Sequence, residues 1–283
     1  MMDVMPHEKQ LVELLGELPG CLVAFSGGVD SAVVAKAAHI ALADQAVAVT
    51  GVSASLAEGE LELARRVAAS IGIRHETVCT TELSDQGYLA NQPNRCWHCK
   101  TELYEQLQQL GALWNIPVIV NGANSDDLGD FRPGMQAARE HLVRSPLAEC
   151  GIDKAGVREL AQLWNLEVWD KPATPCLSSR VVYGLEITPE RLARIDAAEQ
   201  ILRGLGLSTV RVRCHHDELA RLEVPAEALS KLCEEGTRAN VVGRLRKLGF
   251  RYVTLDLEGF RSGSFQQLVP AETLISFDES STN

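Results

Sequence analysis

The chain has 283 residues, of which 46% are hydrophobic and 23% charged, and its formal net charge is −11 at pH 7. This length is enough for one large or two modest domains, and the composition is that of an ordinary soluble protein. The acidic charge speaks against a nucleic-acid partner, although a local basic patch stays compatible with it. No apolar run is long enough to span a membrane and no signal segment opens the chain, so we expect a cytoplasmic protein with no membrane partner.

A glycine-rich motif, Ser26-Gly27-Gly28-Val29-Asp30-Ser31, separates an apolar run at residues 21–25 from a helix-forming run at residues 32–38. This order predicts a strand, a tight turn and a helix N-terminus. Backbone N–H groups and the positive end of the helix dipole then point at one spot, which favours a bound anion. The motif lacks both the Gly-Lys-Ser/Thr ending of a Walker A loop and the Gly-x-Gly-x-x-Gly of dinucleotide-binding proteins.

The same motif resembles the PP-loop, SGGxDS, of ATP pyrophosphatases, which split ATP into AMP and pyrophosphate. Its glycines allow the backbone to approach a phosphate closely, and its serines add hydroxyl donors. Asp30 is suited to orienting the loop or to holding Mg²⁺. We therefore expect the protein to use ATP and Mg²⁺, with a nucleotide site formed by Ala24, Ser26, Gly27, Gly28, Val29, Asp30, Ser31, Gly122 and Asp127.

Alternating strands and helices are predicted around this motif. Helical spacing indicates helices over residues 8–18, in a segment that ends at Gly72, around residues 103–110, and from Asp153 onward. Apolar runs predict strands at 21–25, 46–52 and 116–120, and two further strands are predicted at 75–79 and 167–169. Such alternation is typical of an α/β fold, with a parallel sheet covered by helices on both faces.

Ligands of parallel sheets lie beyond the carboxyl ends of the strands, where both the PP-loop and the acidic stretch 121–127 are expected. Asp126 and Asp127 in that stretch suit Mg²⁺ or a substrate group. They suit helix caps and turns equally well, because Asp and Asn favour such positions in any protein.

A domain boundary is predicted after residue 184, which gives a first domain at 1–184 and a second at 185–276. Thr188 and Pro189 fit the N-cap and first position of a helix. Alternation then predicts strands at 208–214, 219–224 and 252–258, with helices at 225–234 and 239–248 between the last two. This pattern indicates a small α+β domain for substrate binding or oligomerisation, followed by a disordered tail at 277–283.

Three of the eight cysteines stand in segments that suggest chemistry. Cys96 and Cys99 form a Cys-x-x-Cys pair, which alone is compatible with half a zinc site, a redox pair or part of an iron–sulfur site. A redox pair is expected to open a helix in a thioredoxin-like setting, which the sequence does not indicate. Cys176 lies in a proline-rigid loop close to Arg180, where a thiolate is placed to react or to bind metal. We expect the remaining cysteines to be packing residues: Cys21, Cys79, Cys150, Cys214 and Cys233.

Arg211 and Arg213 share one face of the predicted strand 208–214. Two guanidinium groups on one face could clamp a phosphate or a carboxylate. The alternative is that this face simply meets water.

The PP-loop, the Arg95–Lys100 stretch, the Asp126–Asp130 stretch, the Pro175–Arg180 stretch and the arginine strand occur in this order. Together they resemble the LarE family of ATP-dependent sulfur transferases of the nickel-pincer nucleotide pathway. The resemblance spans nearly the whole chain. It implies the PP-loop ATP pyrophosphatase (adenine nucleotide alpha hydrolase-like) fold, and a carboxylate of pyridinium-3,5-biscarboxylic acid mononucleotide that is first adenylated and then thiolated.

Particular residues take roles through this resemblance. Cys176 would donate or hold the sulfur, with Asp30, Ser179 and Arg180 as further catalytic residues. Trp97, Arg211 and Arg213 would bind the substrate.

The resemblance leaves two ways of supplying the sulfur. Either Cys176 gives up its own sulfur, or Cys96, Cys99 and Cys176 hold a 4Fe–4S cluster whose open iron carries a sulfide taken from a sulfur donor. The three-cysteine pattern favours the cluster. A homo-oligomer is expected from the size of such enzymes.

Three competing functions stay open at this stage. They are a tRNA thiolase or related nucleic-acid-modifying enzyme, an amide-forming ligase that uses ammonia, and a non-enzymatic nucleotide-sensing or metal-storage protein.

Overall fold

The computed structural model describes residues 4–129 and 133–261. Asp130, the end of the predicted second domain and the predicted tail at 277–283 lie outside the described residues. The chain divides into two compact units. The first unit runs up to Glu82 and from Cys96 to Thr174, and the second comprises Leu83–Arg95 and the chain from Pro175 onward.

The first unit is organised around a parallel sheet with the strand order β3-β2-β1-β4. Cys21 pairs with Ala46 on one side and with Val118 on the other, so the PP-loop leaves a central strand. The predicted α/β architecture is confirmed. The four strands are β1 Cys21–Ala24, β2 Ala46–Val52, β3 Arg74–Cys79 and β4 Val118–Val120.

Two apolar cores cover the two faces of this sheet, because successive strand residues point to opposite sides. Cys21 and Val23 of β1 belong to one core, and Leu22 belongs to the other. The first core packs β1 and β2 against helices α1, α2, α3 and α8, and the second packs them against α5 and α6. The helices up to this point of the chain are α1 Val4–Gly16, α2 Val29–Leu42, α3 Glu60–Ile71, α4 Gln86–Leu89, α5 Arg95–Trp114, α6 Pro133–Glu140, α7 Pro146–Glu149 and α8 Lys154–Leu163.

The second unit contains a small mixed sheet with the order β5-β6-β7. Strands β5 Arg211–His215 and β6 Leu219–Glu223 form an antiparallel hairpin, and β7 Tyr252–Leu255 joins β6 in parallel. The predicted helix start is confirmed, since the Thr188 hydroxyl accepts a hydrogen bond from the Arg191 amide at 3.2 Å. The helices of this part are α9 Pro189–Arg203, α10 Leu229–Cys233 and α11 Glu235–Lys247.

One predicted strand is absent from the observed fold. Residues 167–169 form turns instead of a strand, because Leu166 and Val168 carbonyls accept bonds from the amides of Trp169 and Lys171. Val168 is nevertheless buried, and a buried apolar residue in a turn gives the same sequence signal as one in a strand. The two compact units divide after Thr174, and the predicted domain boundary after residue 184 stays a prediction. None of the helices in the described residues has the length and apolar character that crossing a bilayer requires.

Candidate active site

The PP-loop is held in shape by its own two serines. The Ser26 amide donates to Ser31 Oγ at 3.2 Å, and the Ser31 hydroxyl donates to the Gly28 carbonyl at 3.1 Å. Gly28 is the N-cap of α2 and has no side chain with which to cap the helix, and its amide donates to Ser26 Oγ at 3.3 Å. The first turn of α2 therefore presents backbone N–H groups and the helix dipole at the carboxyl end of β1, which suits an anionic phosphate.

Two glycines allow close backbone approach around this loop. Gly27 has φ +71°, and a Cβ there would lie 2.8 Å from the Ala64 Cα of α3. A Cβ on Gly122, which follows β4, would lie 2.8 Å from the Ser31 amide nitrogen. Larger residues at either position would push neighbouring backbone away from the loop. The structure thus brings Gly122 to the PP-loop, as the sequence predicted.

Asp30 is the centre of a polar network that joins the PP-loop to two other segments. Lys154 Nζ lies 2.5 Å from Asp30 Oδ2, and Asn124 Nδ2 donates to Asp30 Oδ1 at 3.1 Å. Lys154 is the first residue of α8, and Asn124 follows β4. Both carboxylate oxygens of Asp30 are therefore engaged by donors in this structure.

The aspartates of the acidic stretch after β4 make turn and capping hydrogen bonds, and their role toward Mg²⁺ or a substrate group stays a prediction. Asp127 Oδ2 accepts from the Asn124 amide at 3.0 Å, and Asp126 Oδ2 accepts from the Lys154 amide at 3.0 Å. These bonds fix the loop that carries Asn124. The two aspartates thereby influence the geometry around Asp30 through Asn124 and Lys154.

In the second unit, the side chain of Arg180 wraps around the backbone of the Cys176 segment. Its Nη1 donates to the carbonyls of Pro175 and Cys176, the latter at 3.0 Å, and to Ser179 Oγ at 3.0 Å. The Ser179 hydroxyl donates to the same Cys176 carbonyl at 2.7 Å. Cys176 itself is half-buried and precedes a short 3₁₀ helix, Leu177–Arg180.

Glu199 of α9 holds Arg180 from the other side. Arg180 Nε donates to Glu199 Oε1 at 2.9 Å, and both side chains are completely buried. The same carboxylate accepts from Arg203 and from the Val212 amide of β5. Glu199 thereby links the Cys176 segment, α9 and β5.

The predicted arginine face is buried, so the alternative that it simply meets water is wrong. Arg211 and Arg213 are each only 6% exposed. Arg213 pairs with Glu223 at 2.9 Å and donates to the Ser179 carbonyl at 2.8 Å. Arg211 lies over the Phe260 ring at 5.2 Å.

Arg180, Arg211 and Arg213, which we call the arginine cluster, place positive charges near one another. Burial is the main cause that lowers the pKa of Arg211 to about 10, and Arg180 and Arg213 lower it further while Glu199 opposes them. An anionic group bound near Arg211 would relieve this unfavourable environment. The cluster is therefore suited to a phosphate or a carboxylate.

The Cys-x-x-Cys pair opens helix α5, which the sequence analysis did not expect. Cys96 is exposed and Cys99 is half-buried. Trp97 between them donates its indole N–H to Glu140 Oε2 at 2.7 Å. Among the described residues, no group of three or more His, Cys, Asp or Glu side chains is arranged to hold a metal ion.

Comparison with known proteins identifies the family. The profile of the asparagine synthase family matches residues 19–108, which include the PP-loop. An uncharacterized protein of Synechocystis is 48% identical over 261 residues, covering 92% of this chain and 97% of that protein. The pyridinium-3,5-bisthiocarboxylic acid mononucleotide synthase of Lactiplantibacillus plantarum is 37% identical over 268 residues, covering 94% of this chain and 96% of the synthase. The chain belongs to the LarE family.

Membership confirms the PP-loop fold and makes the protein an ATP-dependent sulfurtransferase. Its remaining cysteines follow the sequence expectation only in part. Cys21, Cys150 and Cys214 are buried, as predicted for packing residues. Cys79 and Cys233 are exposed, so that prediction is wrong for them. Cys79 is the last residue of the edge strand β3 and Cys233 is the last residue of the short helix α10, and both elements have exposed positions.

Sequence reasoning missed two residues that organise the site of this LarE-family chain. Lys154 is the first residue of α8. A cation is unfavourable at a helix N-terminus because of the helix dipole, so this position could have indicated that Lys154 has another role. Glu199 occupies a core position of α9 between Ile195 and Leu202, so an acidic residue on an apolar stripe was the second signal.

Proposed function

We propose that this protein adenylates a carboxylate of pyridinium-3,5-biscarboxylic acid mononucleotide with Mg-ATP, releases pyrophosphate, and then replaces AMP with sulfur. A carboxylate is a poor electrophile, and conversion to an acyl adenylate supplies a leaving group. The near full-length similarity to the bisthiocarboxylic acid synthase carries the proposal. The PP-loop and the arginine-clamped Cys176 segment support it because they suit the two half-reactions.

In the first half-reaction, the PP-loop would bind the phosphates of ATP. The N–H groups at the start of α2 and the hydroxyls of Ser26 and Ser31 favour the negative charge that grows on pyrophosphate. Lys154 pairs with Asp30, and its ammonium group can shift to a phosphate when Mg-ATP engages Asp30. Gly122 keeps the loop after β4 close enough for Asn124 to orient Asp30.

In the second half-reaction, Cys176 would supply or hold the sulfur. Arg180 is completely buried and its donors are engaged by protein oxygens, so we assign it a positioning role and not contact with the substrate. Ser179 Oγ is likewise bonded to the Cys176 carbonyl. Arg211 and Arg213 provide the positive charge that would bind the anionic nucleotide. Trp97 as a substrate contact rests on the resemblance.

The identity of the group that carries the sulfur is a separate part of the proposal. Cys96 and Cys99 belong to the first unit and Cys176 to the second. The three cysteines together have the number of thiolates that leaves one iron of a 4Fe–4S cluster without a protein ligand. Among the residues that the structure describes, no group of three or more His, Cys, Asp or Glu side chains is arranged to hold a metal ion, so the cluster stays a prediction from the resemblance. The cluster is tested by comparing the iron content of the wild type with that of Cys96→Ala and Cys99→Ala. Equal iron content in all three proteins would refute the cluster.

Adenylation is tested by AMP and pyrophosphate release from ATP in the presence of the biscarboxylated mononucleotide. We expect release that depends on this substrate and is lost in Asp30→Asn. Substrate-dependent release with bulk tRNA instead would contradict the proposal and favour the nucleic-acid-modifying alternative. Release that needs ammonia would favour the amide-forming alternative. The sulfur donor, a homo-oligomer and a cytoplasmic location stay predictions.

A further inference from the structure

The segment Leu83–Arg95 interrupts the first unit between β3 and α5, yet it belongs to the second unit together with Cys176. This excursion places three buried polar side chains, Tyr88, Asn91 and Arg95, against the stretch that follows Cys176. Their exposed fractions are 1%, 0% and 5%. We refer to these three residues as the brace.

Tyr88 and Arg95 both bind Ser178, two residues after Cys176. The Tyr88 hydroxyl lies 2.6 Å from Ser178 Oγ, and both groups are buried. Arg95 Nη1 donates to the Ser178 carbonyl at 3.0 Å. The short 3₁₀ helix that Cys176 caps is therefore held by Tyr88 and Arg95 at Ser178, in addition to the bond that Arg180 makes to the Cys176 carbonyl.

Asn91 fixes the continuation of the same stretch. Its Nδ2 donates to the carbonyls of Val181, Val182 and Leu185 at 3.3, 2.8 and 3.0 Å. Its Oδ1 accepts from Arg95 Nη1, and its backbone adopts φ +51°, a left-handed conformation that few residues other than glycine tolerate. The side-chain amide thus adds to the backbone bonds of this stretch, in which the Val182 amide donates to the Cys214 carbonyl at 3.0 Å and the Leu185 amide to the Val182 carbonyl at 3.1 Å.

From this geometry we infer that Tyr88, Asn91 and Arg95 are positioning residues that hold the sulfur of Cys176 in place for sulfur transfer. The inference rests on the proposed function. Misplacement of a reacting atom by about 1 Å is enough to slow a reaction strongly, so buried hydrogen bonds that fix the segment next to Cys176 favour sulfur transfer. Arg95 also directly precedes Cys96, so the brace ends where the Cys-x-x-Cys helix begins.

The test compares Tyr88→Phe and Ser178→Ala with the wild type in the full-length protein. Each variant removes one side of the same buried hydrogen bond while keeping the surrounding shape. The matched control is Tyr104→Phe, which removes another buried phenol hydroxyl, in the first unit. Alkylation of individual cysteines by iodoacetamide is followed by peptide mass spectrometry, with the exposed Cys79 and Cys233 as internal references.

We expect Tyr88→Phe and Ser178→Ala to speed alkylation of Cys176 by about three- to tenfold, the factor that the loss of one neutral hydrogen bond supplies. Cys79 and Cys233 should react at wild-type rates, and the double variant should show no further gain. The kcat of thiolation should fall by a similar factor with the KM for ATP unchanged. Tyr104→Phe should match the wild type at all three cysteines.

Two outcomes would overturn the inference. Alkylation of Cys176 at the wild-type rate in both variants would show that the brace does not position it. Equal acceleration at Cys79, Cys176 and Cys233 would show general loosening instead of a local effect. Failure of the proposed function is separate, because it would appear as a wild-type protein that yields no thiolated nucleotide whatever the alkylation pattern.

Discussion

Arg180 and Glu199 form an ion pair that solvent does not reach. The Arg180 Nε donates to Glu199 Oε1 at 2.9 Å, and neither side chain has any exposed surface. The pair connects helix α9 to the backbone of Cys176, since Arg180 also binds the Cys176 carbonyl. A residue proposed to handle sulfur is therefore held by the core of its unit and not by a surface loop alone.

Breaking this pair should be costly. Removing one partner of a buried ion pair typically costs about 3–5 kcal/mol, because the other charge stays buried without compensation. We expect Glu199→Gln to lose stability on this scale in urea unfolding followed by circular dichroism. Glu62→Gln is the control, since Glu62 pairs with Arg65 at the surface and should cost less than about 1 kcal/mol. Equal losses in the two variants would contradict the structural role of Glu199.

Lys154 should matter for adenylation. Its ammonium group lies 2.5 Å from Asp30 Oδ2 beside the PP-loop, where phosphate charge is expected. We expect Lys154→Met to lower the rate of AMP formation by at least about tenfold, because a preorganised cation at a developing charge is typically worth that much or more. Lys9→Met, which removes an exposed lysine on α1, should leave the rate unchanged. A wild-type rate in Lys154→Met would remove Lys154 from the site.

Gly122→Ala should weaken nucleotide binding. A Cβ at this position would lie 2.8 Å from the Ser31 amide nitrogen and 3.0 Å from the Asp30 carbonyl carbon, so the start of α2 would have to move. Titration calorimetry with ATP should show at least about a tenfold weaker affinity. Gly236→Ala tests glycine replacement as such: a Cβ there meets nothing within 4 Å, and affinity should not change. Unchanged affinity in Gly122→Ala would mean that this close approach does not shape the nucleotide site.

Stability should fall on acidification partly because of His75. Its Nε2 lies 2.8 Å from Thr50 Oγ1, and burial, with Arg65 nearby, lowers the pKa of His75 below its ordinary value. Below about pH 6.5 the unfolded chain then binds more protons than the folded protein, so this contribution is complete above that pH and is lost as the pH falls.

Urea midpoints at pH 7.5 and 5.5 measure the loss. The difference between the two pH values should be smaller for His75→Gln than for the wild type. His215, whose pKa burial also lowers, keeps its own share in both proteins. An equal difference would show that His75 contributes no pH dependence.

The regular elements could be predicted because they follow local patterns. Strand β2 occupies the predicted residues 46–52, and Thr188 caps α9 as its sequence signal indicated. Short segments were less certain: residues 167–169 form turns, since nothing in the triplet Glu-Val-Trp distinguishes a turn with a buried valine from a strand.

The site could be predicted in its motifs but not in its connections. The approach of Gly122 to the PP-loop follows from the strand order, because both segments leave the carboxyl ends of neighbouring strands. The pairing of Lys154 with Asp30 joins residues 124 positions apart, and the Tyr88–Ser178 bond joins residues 90 apart. Contacts at such separations depend on tertiary packing, which no local pattern in one sequence encodes.

Sulfur transfer to the nucleotide is tested most directly by mass spectrometry of the protein and product together. Anaerobically purified protein is incubated with Mg-ATP and pyridinium-3,5-biscarboxylic acid mononucleotide. The masses of the polypeptide and of the nucleotide are measured before and after the incubation. We predict thiolated nucleotide from the wild type and none from Cys176→Ala. Loss of one hydrogen sulfide from Cys176 would show that this residue gives up its own sulfur, whereas an unchanged polypeptide mass would favour a sulfur carried by the three-cysteine set. Equal amounts of thiolated product from the wild type and Cys176→Ala, or none from the wild type, would contradict the proposed function.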